Sequence, residues 1–199
     1  MQFFQSIWFE IIGVIIGLLY IYYEYKASKW LWPVGVIMPI VYIIIYYFGK
    51  FYADMGIQFY YFFAGIYGWI KWSKGESTDN TIPISTTPKR YFFRMSAITA
   101  LSFTIIAFIL IKFTDSPIPY GDSLTTALSI LAMWMLANKY IEQWWLWIIV
   151  DLISSGLYFW KGLTPTAILY TIYAIIAVFG YFKWKSMMIQ EQKLSNPEI

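Results

Sequence analysis

The stretch Glu142-Gln143-Trp144-Trp145-Leu146-Trp147-Ile148-Ile149-Val150-Asp151 sets three tryptophans and an acid along one strongly apolar run. A lone carboxylate in such a run is unfavourable in a bilayer unless it is paired or serves a purpose. At helical spacing Trp144, Trp147 and Asp151 stand at i, i+3 and i+7 and share one face. Indoles with an acid beneath them suit a flat, cationic or polar aromatic ligand, because the rings stack and the carboxylate balances charge.

The rest of the chain has the same character. Of 199 residues, 60% are hydrophobic and 13% charged, against about 25% charged in a soluble domain. The apolar residues fall in blocks of roughly 18 to 22, the helix length that crosses about 30 Å of hydrocarbon, and they lack the alternation of a membrane barrel. The fold expected is therefore an all-α integral membrane protein. With no Cys and no His, thiolate and imidazole metal sites, Cys or His nucleophiles and histidine-ligated haem are excluded. No cofactor or metal is called for, and nothing points to nucleic acid. The first residues lack a basic n-region and a cleavage site, so the first helix is expected to remain in the mature protein.

Seven spans are predicted: Ile7–Tyr25, Trp30–Phe48, Ala53–Trp72, Tyr91–Ile111, Asp122–Asn138, Gln143–Trp160 and Thr164–Trp184. Ser73–Lys89 is rich in Ser, Thr, Pro and charge and reads as a flexible linker, and the polar tail from Lys185 as frayed. Of the 14 Lys and Arg residues, all but Lys50, Lys112 and Lys161 fall on one side of the spans. The positive-inside rule then puts the N-terminus outside and the C-terminus in the cytoplasm of a bacterial inner membrane.

The chain also resembles itself. Trp30-Leu31-Trp32 recurs as Trp145-Leu146-Trp147, and Gly68-Trp69-Ile70-Lys71-Trp72 as Gly180-Tyr181-Phe182-Lys183-Trp184. Spans one to three read as duplicated in spans five to seven. An odd helix between two odd bundles keeps the repeats parallel. The expected organisation is a first three-helix bundle over 1–72, a cytoplasmic linker over 73–90, a linker helix and outer loop over 91–120, a second bundle over 121–184 and a cytoplasmic tail. Such repeats around a midplane site are a transporter architecture.

Asp151 lies about nine residues into span six, near the bilayer centre, where an ionisable residue is functional by default. Glu10 shares a face with Gly13 and Gly17, small residues that let another backbone approach. Its alternative is a structural acid near the outer interface. Gln58, Tyr61, Gly65, Gly68 and Trp72 form one stripe on span three, with Gln58 able to donate and accept. Span seven offers Tyr170 and Tyr173. Pro39 removes a backbone hydrogen bond inside span two and is expected to kink it.

On Trp8-Phe9-Glu10-Ile11-Ile12-Gly13 and Gly17-Leu18, on Gln58 with Gly65-Ile66-Tyr67-Gly68-Trp69 and Trp72, and on Ala132-Met133 with Asn138 through Trp147, the chain resembles the Pnu family of bacterial vitamin transporters. The resemblance covers nearly the whole chain. It implies seven helices as two three-helix bundles with a linker helix, similar to SWEET proteins. It further implies facilitated diffusion with substrate trapped by cytoplasmic phosphorylation, and a homotrimer. Family binding residues carry over to Glu10, Gln58, Tyr61, Trp144, Trp147 and Tyr170, and Asp151 joins them from its own chemistry.

The family includes nicotinamide riboside and thiamine carriers. Met38, Gly65 and Asp151 stand where asparagines are expected in the nicotinamide riboside pattern, and losing those amides tilts the expectation to thiamine, with nicotinamide riboside as the alternative. An intramembrane protease is disfavoured: there is no His, the lysines sit at span ends, and Asp54 and Asp122 are expected near the outer edge, far from Asp151. The expected protein is a vitamin transporter and not an enzyme.

Overall fold

A computed structural model describes residues 7–49, 52–76 and 82–195. Among them are seven helices: α1 (Ile7–Tyr25), α2 (Leu31–Gly49), α3 (Tyr52–Glu76), α4 (Phe92–Phe113), α5 (Pro119–Ala137), α6 (Gln143–Trp160) and α7 (Thr164–Ser195). Each answers to one apolar block. Helix α5 begins at Pro119, earlier than expected, because a proline in the first turn forfeits no helical hydrogen bond. Gly162, at φ +76°, stops α6 in the left-handed conformation that glycine adopts freely. On α4 only Met95 and Ala107 are buried, which suits a helix bathed in lipid.

Contacts divide the chain into two compact units, Met1–Ile82 and Pro83–Ile199. In the first, α2 packs against α1 and α3. In the second, α6 packs against α5 and α7, and α4 lies on α5.

The units share one local plan. Helices α5, α6 and α7 start at 119, 143 and 164, each 112 residues after the starts of α1, α2 and α3 at 7, 31 and 52. The turns repeat at the same interval. In the first, Lys26 N donates to Tyr22 O (3.2 Å), Ala27 N to Glu24 O (2.9 Å), Ser28 N to Tyr23 O (2.9 Å) and Trp32 N to Lys29 O (3.1 Å). In the second, Asn138 N donates to Trp134 O (3.2 Å), Lys139 N to Leu136 O (2.9 Å), Tyr140 N to Met135 O (3.0 Å) and Trp144 N to Ile141 O (3.2 Å). Ala27 (φ 49°) and Lys139 (φ 53°) are the non-glycine residues with positive φ, and they too are 112 apart. This interval corrects the sequence match: Trp32 corresponds to Trp144, not to Trp147.

The packing repeats with the turns. Trp32 lies over Gly68 and meets Trp72 edge-on, with ring centroids 5.5 Å apart; Trp144 lies over Gly180 and meets Trp184 edge-on at 5.7 Å. A Cβ at either glycine would overlap the indole above it. Trp32, Trp72, Trp144 and Trp184 are all buried.

The segment before α4 departs from the flexible linker expected. Residues 77–81 lie outside the described residues, but 84–87 are held within the second unit. Ser85 N donates to Lys139 O (3.1 Å) and Ile141 N to Ser85 O (2.9 Å), forming a bridge to the α5–α6 turn. Glu142 accepts from Thr87 N (2.9 Å) and Thr87 Oγ1 (2.8 Å), and Glu191 accepts from Ile84 N (3.0 Å). With Ile84 and Thr87 buried, their N–H groups require acceptors, and carboxylates are strong ones. Glu191 also explains why α7 runs on to Ser195 where a frayed tail was expected: its polar last turns hold this strap.

Two outcomes follow from these contacts. Glu191→Ala will speed amide hydrogen exchange at Ile84 about tenfold or more, the loss of one hydrogen bond to a charged group; exchange at the wild-type rate would refute the strap. Gly68→Ala and Gly180→Ala will each lower stability by about 1–3 kcal/mol through overpacking against an indole, read as a lower unfolding temperature in detergent.

Candidate functional site

The candidate site is built on α6 and α7. Asp151 is the ninth of the 18 residues of α6 and is buried with Val150, Ser154 and Ser155. The α6–α7 contact is polar at this level. Ser155 Oγ donates to the Ala167 carbonyl (2.9 Å) and lies 2.8 Å from Thr171 Oγ1, and Thr171 itself donates to Ala167 O (3.0 Å). The two hydroxyls thus share the Ala167 carbonyl across the helix pair, one donating to it while the other is free to donate to its neighbour. Asp151 accepts no hydrogen bond from the described residues, and Tyr173 of α7 lies near it.

A run of aromatic rings leads from this acid toward the start of α7. Tyr173 meets Tyr170 edge-on at 5.9 Å, and Tyr170 stacks on Tyr158 of α6 at 5.2 Å with 22° between planes. Lys161 Nζ stands 5.6 Å over the Tyr158 ring and pairs with Asp122 of α5 at 3.1 Å, while Ser116 Oγ donates to the same carboxylate at 2.8 Å. One unit therefore holds two acids in opposite conditions: Asp122 is neutralised by a lysine, and Asp151 faces a tyrosine.

The predicted site residues are distributed as follows. Trp147 is half-buried, and its Nε1 donates to none of the described residues. Trp144, one position past the start of α6, is closed in by Gly180 and Trp184 and packs the helix pair. Gln58 and Tyr61 on α3 are half-buried in the first unit. At the 112-residue interval they correspond to Tyr170 and Tyr173, so the two aromatic and amide stripes are one feature used twice. The Tyr20 ring of α1 fills the notch at Gly35, and Glu24 one turn further along α1 is buried. The Glu10 side chain lies outside the described residues; its counterpart at the interval is Asp122.

Sequence reasoning missed Gln143 and Glu24. Both are polar and buried, and both stand where the other unit has a buried leucine: Leu31 for Gln143 and Leu136 for Glu24. The correct repeat interval was the signal that would have found them. No group of three or more His, Cys, Asp or Glu able to hold a metal occurs among the described residues.

Apolar helices too long for a small soluble core and a buried, hydrogen-bond-free carboxylate in mid-helix define a multi-pass membrane protein that handles a polar solute. Lys89–Phe113 and Thr166–Leu194 are each long and apolar enough to cross a bilayer. A sequence profile of the nicotinamide mononucleotide transporter family matches residues 7–186, and the chain belongs to that family, the Pnu family of vitamin transporters. It is a transporter and not an enzyme.

The chain is 26% identical to the riboflavin/roseoflavin transporter RibM of Streptomyces davaonensis over 185 residues, covering 89% of this chain and 84% of the relative. It is likewise 26% identical over 204 residues to the nicotinamide riboside transporter PnuC of Escherichia coli, with the same coverage. A crystal structure of the vitamin B3 transporter PnuC superposes with a TM-score of 0.72 at 22% identity, covering 95% of this chain and 85% of that one, and so shares the fold.

Proposed function

We propose that this protein carries nicotinamide riboside across the bacterial inner membrane by facilitated diffusion. The observation that carries the reading is Asp151, a buried carboxylate at mid-helix that takes no hydrogen bond from the described residues and faces Tyr173. A carboxyl group beside aromatic rings suits a pyridinium, whose charge the ionised acid balances and whose ring the indole and phenols stack on. The names of the relatives support this alternative over the thiamine expected from the sequence. The absence of asparagine at Met38, Gly65 and Asp151 is compatible with nicotinamide riboside, since an acid at 151 recognises the same cation by charge.

In this reading Asp151 balances the substrate charge and Trp147 and Tyr170 supply flat surfaces. Gln58 and Tyr61 are carried over from the family as further candidates for polar contacts. Trp144 serves the scaffold, and Glu10 remains a candidate carried over from the family. The 112-residue interval supports a 3+1+3 arrangement of two parallel three-helix bundles, SWEET-like, with α4 as the linker helix. The bias of Lys and Arg supports an outside N-terminus and a cytoplasmic C-terminus. Trapping by cytoplasmic phosphorylation and assembly as a homotrimer complete this reading, and the family resemblance supports them.

The test is binding and liposome uptake by the purified protein with nicotinamide riboside, thiamine and riboflavin as separate ligands. Nicotinamide riboside is expected to bind tightest, and Asp151→Asn to weaken it about tenfold or more while leaving binding of uncharged riboflavin unchanged. Tighter binding of thiamine or of riboflavin would overturn the assignment.

A further inference from the structure

Gln143, the first residue of α6, is fully buried, and neither its Oε1 nor its Nε2 has a hydrogen-bond partner among the described residues. An interior carboxamide with both ends unpaired is strongly unfavourable, so its presence calls for a reason. The fold does not supply one. Leu31 occupies the corresponding position in the first unit, equally buried, with the same turn around it: Leu31 N donates to Ser28 O at 3.1 Å and Gln143 N to Tyr140 O at 3.2 Å. One unit is therefore an internal control for the other, and it packs a hydrocarbon where Gln143 places an amide. Trp144 passes the opposite check. Its unpaired Nε1 is matched by an unpaired Nε1 on Trp32, which makes it a property of the shared packing.

Gln143 shares a helical stripe with the candidate site. Gln143, Trp147 and Asp151 are spaced i, i+4 and i+8, and the Trp147 indole nitrogen is also without a partner. The rise from Gln143 to Asp151 is about 12 Å. A hydrogen bond at one end takes about 3 Å and a charge contact at the other about 4 Å. What remains accommodates one aromatic ring bearing a carboxamide. A glutamine side chain offers one acceptor and a pair of donors, the complement of a primary amide.

We propose that Gln143 is a specificity-determining residue that pairs with the carboxamide of a cationic aromatic amide whose charge is balanced at Asp151. This rests on the nicotinamide riboside reading. It goes beyond it by assigning the amide end of the substrate to a residue in the first turn of α6.

The test is a cycle between one protein group and one ligand group. Binding of nicotinamide riboside and of pyridine riboside, the same cation without the carboxamide, is measured by calorimetry on the full chain, for wild type and Gln143→Leu. The wild type is expected to prefer nicotinamide riboside about tenfold or more. Gln143→Leu is expected to bind both ligands alike, at the strength the wild type shows for pyridine riboside. A variant that keeps the wild-type preference, or a wild type that binds the two ligands equally, overturns the assignment of Gln143. Equal weakening of both ligands by Gln143→Leu does the same, since it reports a purely structural role. Wild-type protein that binds neither ligand sinks the nicotinamide riboside reading and this inference with it. Gln143→Met, also apolar but unbranched, replaces the leucine variant if that one does not fold.

Discussion

An indole seated in a glycine notch holds each unit together. In lipid there is little hydrophobic drive between helices, so association depends on close packing, which small residues permit and bulky rings exploit. Gly68 and Gly180 open the notches, Trp32 and Trp144 fill them, and Trp72 and Trp184 close each from one turn further along the same helix. This fixes the α2–α3 and α6–α7 pairs at one end. The positive-φ turns at Ala27 and Lys139 then set where α1 and α5 join.

Because that frame is repeated, differences between the units carry more information than likenesses. Tyr20 on α1 fills the notch at Gly35 on α2. At the same interval α5 has Ala132 and α6 has Trp147, so large and small have changed sides and the α6 face gained an indole. Glu24 faces a counterpart leucine in one direction and Gln143 in the other. Each unit thus admits one buried polar residue near its turn, at positions its sibling fills with hydrocarbon. Substitutions of this kind are not required by the shared packing.

The spans were legible because apolar blocks of membrane length have few other readings, and α1 and α6 begin and end where composition places them. The repeat was legible but was read three residues out of frame at its first element. Trp144, Trp145 and Trp147 offer competing matches to Trp32, and the turn hydrogen bonds, the helix starts and the Trp–Gly packing choose Trp144. The strap was not legible. Its bonds join the backbone of Ile84, Ser85 and Thr87 to residues more than fifty positions away, and backbone groups leave no trace in side-chain pattern. Asp151 stood out as a charge among hydrocarbons. Gln143 did not, since an uncharged amide at the edge of a span looks like ordinary interfacial polarity until its burial is seen.

The interval also relates Asp151 to the other irregularity of the middle helices. Its counterpart is Pro39, buried within α2. A proline there has no N–H for the carbonyl four residues back, that of Gly35, and so leaves an oxygen short of a helical donor. The proline frees a carbonyl and the aspartate adds a carboxylate, each at the same level of its own helix. Groups of both kinds favour a cation, one by dipole and one by charge. Neither residue is required by the packing that the two units share, so each marks the level at which its own middle helix departs from a uniform hydrocarbon face.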